Sequence, residues 1–298
     1  MLHKALPGIF AVCMLAGCQD KPARVDIGPD IAQTKQAEKT MTQRISIKIG
    51  EQGKDWLSQY PALVKSYKPT PNVTSFAIDW LEKPRGVVKI EHGKYSFEIE
   101  DVLSMASMQV ASHDDEGLFQ YTINAGITAP DLIPHEEARD KLYSILKAIE
   151  QKGWRVMTPR GDPRIKGKDR LNYVLQKDKY IGLDAAYVPS LSEWMQLENL
   201  TTWAFYADRQ YLTVDFKRER TLLDPAKPGS YLLTYTLKSE AEHFRAYVGP
   251  DNRARWKELL AAELAPRDSD RAKAEASLKA QGIKIDETYQ DPPLPNLK

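Results

Sequence analysis

The chain has 298 residues, of which 42% are hydrophobic and 9% aromatic. This composition is typical of a folded protein and excludes a largely disordered one. The 42 Lys and Arg residues nearly balance the 41 Asp and Glu residues, so no global charge recruits nucleic acid or an anionic membrane surface.

The first residues have the features of a secretory signal. Lys4 precedes an apolar stretch, Ala5 to Met14, that is too short to span a bilayer, and small residues follow it. The sequence Leu15-Ala16-Gly17-Cys18 resembles the lipobox of bacterial lipoproteins. That resemblance implies that residues 1–17 are removed and that Cys18 carries a diacylglyceryl group as the lipid-attachment residue. The competing interpretations are an ordinary secretory signal with a chance cysteine and a buried N-terminal helix.

Residues 18–43 are polar and have no sustained period, which predicts a flexible tether. Gln19 follows the lipobox cysteine, and this position resembles that of lipoproteins sorted to the outer membrane. We therefore expect a periplasm-facing protein anchored in the outer membrane through Cys18. Cys13 is the only other cysteine and would leave with the signal, so the mature chain is expected to form no disulfide.

Residues 44–152 are predicted to form an α+β unit. Period-two alternation of apolar residues predicts strands over 45–49, 95–99 and 119–123. Residues 87–90 are expected to form the strand that leads into 95–99 through a hairpin loop at 91–94. A helix interrupted by Pro61 is expected between Trp56 and Tyr67. A clearer helix is predicted over 138–149, because apolar residues recur there on one face, with Pro134 in its first turn and Gly153 as its stop.

Residues 153–298 are predicted to form a second α+β unit. Strands are expected over 153–157 and 230–237, and a hairpin over 201–207 and 210–217 with its turn at Asp208 and Arg209. A basic loop covers 159–168, and 170–175 is ambiguous. Two C-terminal helices are expected, one from near Asp251 and one over 270–281 with Gly282 as its stop. The predicted fold class is α+β, with antiparallel sheets and packed amphipathic helices, and the sequence leaves open whether the two units pack as one domain.

No motif in the chain predicts catalysis, a metal or a cofactor. His135 begins a helix, but Arg139 stands where a zinc ligand would be needed one turn later. His113-Asp114-Asp115-Glu116 lacks the alternate-position oxygens of a calcium loop. The chain also contains no Gly-x-Ser-x-Gly elbow and no phosphate-binding glycine loop. We therefore expect no catalytic residues, no cofactor and no enzymatic activity.

Binding of a partner protein through loops is the function that remains, since loops on a rigid scaffold commonly carry binding residues. Residues 111–117, 158–168 and 206–211 are candidates, and solvated loops are the competing interpretation. Tyr206 and Tyr211 flank the hairpin turn and should point away from the buried face, which predicts a contact surface. The candidate partner-binding residues are His113, Asp114, Arg160, Arg164, Tyr206, Arg209 and Tyr211.

A family resemblance covers the chain from about Arg44 to its end. The motifs that carry it are Gly153-Trp154-Arg155, Asp162-Pro163-Arg164, Tyr187-Val188-Pro189 with Glu193-Trp194-Met195, Trp203-Ala204-Phe205-Tyr206-Ala207-Asp208, Asp224-Pro225 with Pro228-Gly229-Ser230-Tyr231, and Tyr289-Gln290-Asp291-Pro292-Pro293. Together they resemble proteobacterial lipoproteins found beside type VI secretion phospholipase effectors. The resemblance implies an immunity protein that binds a secreted phospholipase in the periplasm.

Two other functions fit the same sequence. An envelope scaffold or assembly lipoprotein would share every compositional feature and differ only in its partner. An enzyme acting on envelope glycans or lipids would need a carboxylate pair or a histidine cluster in a cleft.

Overall fold

The computed structural model describes residues 42–82, 84–177 and 182–297. The predicted signal, Cys18 and nearly all of the predicted tether lie outside these ranges. The strands are β1 (Arg44–Ile47), β2 (Lys65–Thr70), β3 (Val73–Asp79), β4 (Gly86–Ile90), β5 (Phe97–Val110), β6 (Gln120–Gly126), β7 (Ile133–Pro134), β8 (Arg155–Val156), β9 (Thr201–Ala207), β10 (Gln210–Arg218), β11 (Pro228–Gly229) and β12 (Tyr231–Ser239). The α-helices are α1 (Gly53–Gln59), α2 (His135–Gln151), α3 (Gly167–Lys177), α4 (Leu191–Gln196), α5 (Glu240–Arg245) and α6 (Trp256–Ala280).

In the described ranges, ten of the strands form one mixed sheet, and β7 and β11 form a separate pair. The order is β1-β4-β5-β6-β12-β10-β9-β8, with β3 beside the second half of β5 and β2 outside β3. Among the described strand pairs, only β1–β4 is parallel. β6 and β12 pair directly, so the sheet runs without interruption through residues of both predicted units. The predicted α+β fold class is confirmed.

One face of the sheet forms the core under α1 to α4. Trp203 and Phe205 of β9 pair with Val214 and Leu212 of β10, and all four are fully buried, as the predicted hairpin requires. Aromatic contacts connect the helices to this layer: the ring of Trp194 in α4 stacks on that of Phe216 in β10, with centroids 4.7 Å apart. Burying side chains of this size stabilises a fold by roughly 1.5–3 kcal/mol each, so this layer holds the body together.

The helix predicted over 138–149 is confirmed as α2. Ala138, Leu142, Leu146 and Ile149 form its fully buried stripe against the sheet. Its stop is also as predicted: Gly153 adopts the left-handed conformation with φ 92°, which glycine reaches without a Cβ clash.

Several predicted elements differ in the structure. The helix at Trp56 begins at Gly53 and ends before Pro61, while 65–70 forms the edge strand β2 because β3 supplies its hydrogen-bonding partner. The strand predicted over 95–99 continues to Val110. Its alternation breaks at a bulge near Asp101, whose φ is 53°, and this bulge hid the continuation. The ambiguous segment 170–175 lies within α3.

The two predicted C-terminal helices are one helix, α6. Pro266 lies inside it and removes one backbone donor. The helix nevertheless continues, because Leu264 before the proline and Arg271 after it are both buried against the body. Gly282 is the predicted stop. Its N–H donates to the carbonyl of Lys279 and the N–H of Ile283 to that of Leu278, the two bonds of a Schellman motif.

Within the described ranges, no helix has both the length and the hydropathy needed to cross a bilayer.

Candidate recognition cleft at the sheet edge

The second half of α6 binds the body mainly through charged groups. It packs against the basic loop after β8 and against the chain that follows the helix. We call this assembly the C-terminal clasp and define it as residues 158–166, 268–278 and 283–292. A small apolar cluster of Ile165, Leu278 and Ile285 lies within it.

Ion pairs connect the parts of the clasp. Arg164 binds Glu275 in a bidentate pair at 2.8 and 2.7 Å. Arg271 is buried; its guanidinium contacts Asp291 at 2.5 Å and donates to the carbonyl of Asp162 at 2.9 Å. Lys166 lies 2.7 Å from Asp286, and this contact together with hydrogen bonds from Thr288 lowers the pKa of that carboxyl to about 2. Charge-assisted bonds of this kind are stronger than neutral ones and fix orientation.

A cleft of about 470 Å³ lies between the clasp and the edge of the sheet. The short strand β8 forms one wall, and β8 pairs only with β9 among the described strands, so its other edge has no strand partner. We call this the edge cleft. The side chains that line it on the sheet side and the clasp side include Trp154, Arg155, Tyr206, Arg164, Lys166 and Tyr289.

Arg155 is an exposed cation of the edge cleft. Its guanidinium lies over the ring of Tyr206, 5.5 Å from the centroid, and it makes no ion pair with any residue in the described ranges. Trp154 beside it is buried, and its indole N–H donates to the carbonyl of Tyr95 at 2.9 Å. The strand therefore fixes a planar cation at the mouth of the cleft, with its charge available to a ligand.

Two carboxylates line the same cleft. Burial, with a smaller contribution from Asp184, raises the pKa of Glu150. Asp184 accepts the backbone N–H groups of Gly167 at 2.7 Å and Ala186 at 2.9 Å, one on each oxygen. Because both oxygens of Asp184 hold the loop in place, this carboxylate is committed to structure.

The predicted binding residues Arg160 and Arg164 both lie in the clasp. Arg160 binds Asp268 of α6 at 2.6 and 2.7 Å, and Arg164 binds Glu275. The loop was predicted as a basic patch, but carboxylates of α6 neutralise both of these arginines. Arg164 nevertheless lines the edge cleft, whereas Arg160 does not.

Tyr206 and Tyr211 lie on the sheet face opposite Trp203, as predicted, but the expectation that they are exposed is wrong. Both are buried, because α5 and the first half of α6 cover that face. The ring of His243 stacks on Tyr211 with centroids 3.6 Å apart. Tyr206 also lines the edge cleft.

Arg209 occupies the predicted hairpin turn. It and Asp208 both have positive φ, 66° and 38°, as a two-residue type I′ turn requires. The Arg209 side chain is exposed and pairs with Glu240 of α5 at 2.6 Å. The turn lies apart from the residues that line the edge cleft.

His113 and Asp114 lie in a short 3-10 helix, Ala111–Glu116, far along the sheet from β8. Asp114 is exposed and accepts from the side chain of Gln109 at 2.7 Å. His113 packs on Phe119 with ring centroids 5.3 Å apart, and burial lowers its pKa. The structure therefore brings Arg164 and Tyr206 together at the edge cleft and places the other predicted residues elsewhere.

Sequence reasoning missed Arg155 and Tyr289 as cleft residues. Both lay in the motifs that carry the resemblance, and Tyr206 and Arg164 lie in two more of these motifs. Four motifs that are far apart in the chain therefore meet at one cleft. This convergence was the available signal, but it becomes visible only once the clasp is folded against the sheet.

Among the described residues, no group of three or more His, Cys, Asp or Glu side chains is arranged to hold a metal ion. Comparison of the chain with family models, with curated proteins and with solved structures finds no match.

Proposed function

We propose that this protein is a lipid-anchored periplasmic binding protein that neutralises a secreted phospholipase effector by direct protein–protein contact. The observation that carries the proposal is the edge cleft, at which four of the motifs that resemble immunity lipoproteins meet. Cys18 anchors the chain in the outer membrane, and the folded body presents the cleft to its partner.

The chemistry of the edge cleft suits a protein ligand. Arginine and aromatic side chains dominate binding energy at interfaces, and Arg155, Tyr206 and Tyr289 lie together here. The unpaired edge of β8 can accept the backbone of an extended segment, as edge strands do in strand addition. A carboxylate on the partner could form an ion pair with the guanidinium of Arg155. The cleft is only the centre of such a contact, since a stable interface buries roughly 1,600 Å² in total.

The direct test is protection of living cells. A secreted phospholipase, the candidate effector that the resemblance implies, is directed to the periplasm, with and without the protein. We expect lysis without it and survival with it. Equal lysis in both cultures would overturn the proposal. A Cys18→Ser chain separates tethering from binding: it should bind the lipase in vitro but protect cells less well.

An envelope scaffold is distinguished by its partners. Pull-down of the protein from detergent-solubilised membranes should recover the lipase when both are present. Recovery of envelope machinery and no lipase would favour the scaffold.

The alternative that the protein is an enzyme can be tested at Glu150, the carboxyl with a raised pKa in the edge cleft. A Glu150→Gln chain is expected to protect cells as the unmodified chain does, because a binding protein does not need a proton donor there. Loss of protection together with loss of hydrolysis of envelope lipids or glycans would identify a catalytic carboxyl instead.

A further inference from the structure

Four exposed leucines project from four different loops of the body. Their exposed fractions are 75% for Leu81, 57% for Leu132, 57% for Leu200 and 47% for Leu223. Single exposed apolar residues are common and need no explanation. These four differ because their loops meet, and we call the set the leucine rim.

Direct contacts join the loops of the leucine rim. Arg85, in the loop of Leu81, pairs with Asp131, which precedes Leu132. Asn199, which precedes Leu200, exchanges two hydrogen bonds with the backbone of Arg218, at 2.7 and 3.3 Å. Neighbours of the leucines in all four loops, though not the leucines themselves, line one further cleft of about 470 Å³, so the four loops meet at one place.

Leu200 supplies an independent observation. Its φ is 68°, in the left-handed region that favours glycine and asparagine and that costs a leucine conformational energy. Its side chain is mostly in solvent and is therefore not held there by burial in the core. Strain of this kind, kept at an exposed apolar residue, is characteristic of a site that contacts a ligand.

The chain enters the folded body next to the same rim. Gln43 precedes β1, its side chain accepts the indole N–H of Trp80 at 2.6 Å, and Leu81 follows Trp80 directly. The described chain therefore enters the body at Gln43, close to Leu81 of the leucine rim. Tyr206, which lines the edge cleft, lies six residues after Leu200 along β9. At the rise of a β-strand, this separation is roughly 20 Å.

We propose that the leucine rim is a membrane-contact surface, which rests on the phospholipid bilayer in which Cys18 is anchored. The inference rests on the lipid anchor of the proposed function and deepens it by giving the body an orientation. The leucines enter the boundary between headgroups and acyl chains, where apolar side chains are removed from water. The edge cleft then remains open to the periplasm, where the effector arrives.

The charges around the rim fit a phospholipid surface. Lys217 and Arg220 are exposed and make no ion pair with any described residue, so they are available to phosphate groups. Glu219 and Glu198 are exposed beside them, so the two signs are mixed. We therefore expect contact driven by the leucines and only weakly dependent on salt.

The test uses the full lipidated chain in vesicles of phosphatidylethanolamine and phosphatidylglycerol. With Cys18 lipidated and Cys13 removed, a single introduced cysteine can carry an environment-sensitive fluorophore at Leu81→Cys, Leu132→Cys or Leu223→Cys. Leu294→Cys is the matched control, because Leu294 is 51% exposed and lies beside His243, away from the rim. We expect dithionite in the water to react at least about fivefold more slowly with the rim probes than with the control.

Equal reaction rates at the rim and at Leu294 would overturn the inference. Shielding that weakens on dilution of the protein would also overturn it, since a second copy of the chain would then cover the rim. The mass of the membrane-extracted chain reports lipidation separately, and the protection of cells reports effector binding separately. Failure of the rim can therefore be distinguished from failure of the anchor or of the proposed function.

A Leu200→Asn chain tests the strained position. Asparagine tolerates the left-handed conformation, so the melting temperature should rise by about 2 °C. Dithionite should react faster with the probe at Leu81 in this background, because an apolar contact has been removed. A more stable chain with unchanged shielding would show that Leu200 takes no part in the contact.

Discussion

The sheet core and the C-terminal clasp are held by different forces. The core buries aromatic and aliphatic side chains of the sheet under α1 to α4. In the clasp, the buried residues of α6 include Arg271 and Glu275, and three apolar side chains form only a small cluster. Apolar burial has no protonation state, whereas each ion pair depends on pH and on both partners. The clasp should therefore open under conditions that leave the core intact.

The largest effect is expected from Trp203→Ala in the core. Trp203 is fully buried, and its ring contacts that of Tyr143 with centroids 5.8 Å apart. We expect a loss of about 4 kcal/mol in the free energy of unfolding, because the variant loses the transfer free energy of the buried ring and leaves a cavity in the core. Urea unfolding measures it. A loss comparable to that of an exposed substitution would show that the core does not dominate stability.

The next effect is expected from Arg271→Ala in the clasp. This substitution leaves the carbonyls of Asp162 and Pro159 and the carboxylate of Asp291 without their donor. We expect a loss of about 2–3 kcal/mol by the same urea measurement. Lys273→Ala on the exposed side of α6 is the matched control and should change stability little. Equal losses in the two variants would contradict the account of the clasp.

Acid should open the clasp before the core. The bond to Arg164 lowers the pKa of Glu275, and the bond to Arg160 lowers that of Asp268. Lys166, with smaller contributions from Thr288, lowers the pKa of Asp286 to about 2. Groups with lowered pKa stabilise the fold above their unfolded values, about 4, and lose this contribution as the pH falls toward 2.

Hydrogen exchange, corrected for the intrinsic pH dependence of the amide rates, should reveal this order. Amides of the second half of α6 should lose protection between pH 4 and pH 2 while those of α2 keep theirs. Simultaneous loss in both helices would show that the clasp and the core open as one unit.

The smallest effect is expected from Asp268→Asn. This variant weakens the pair with Arg160, but the Asp268 side chain is 47% exposed and water screens the interaction. We expect a loss of about 0.5 kcal/mol. Comparison with Arg271→Ala would then show how far burial, rather than the number of ion pairs, decides the stability of the clasp.

The same contrast explains what could be predicted from the sequence. α2 and the β9–β10 hairpin were predicted because burial of one face imposes a period on apolar residues. β2 was missed because every residue of this edge strand is exposed, so no alternation reports it. The clasp was missed because Arg164 and Glu275 are 111 residues apart and ion pairs impose no period.

The candidate site was only partly foreseen for the same reason. Tyr206 was correctly placed on the face opposite Trp203, but its cover by α5 and α6 depends on tertiary packing. Arg155 has no periodic signature, because its importance lies in the clasp that closes the other wall of the cleft. The leucine rim was missed because its four leucines come from loops that only the folded sheet brings together.

The most direct measurement is calorimetric binding of the purified phospholipase to the unmodified chain and to Arg155→Ala. Arg44→Ala is the control, because Arg44 is exposed on β1, at the other end of the strand order. We expect Arg155→Ala to weaken binding by at least about tenfold, as removal of a central arginine does at interfaces, and Arg44→Ala to leave it unchanged. No binding by the unmodified chain, or equal binding by all three chains, would contradict recognition through the edge cleft.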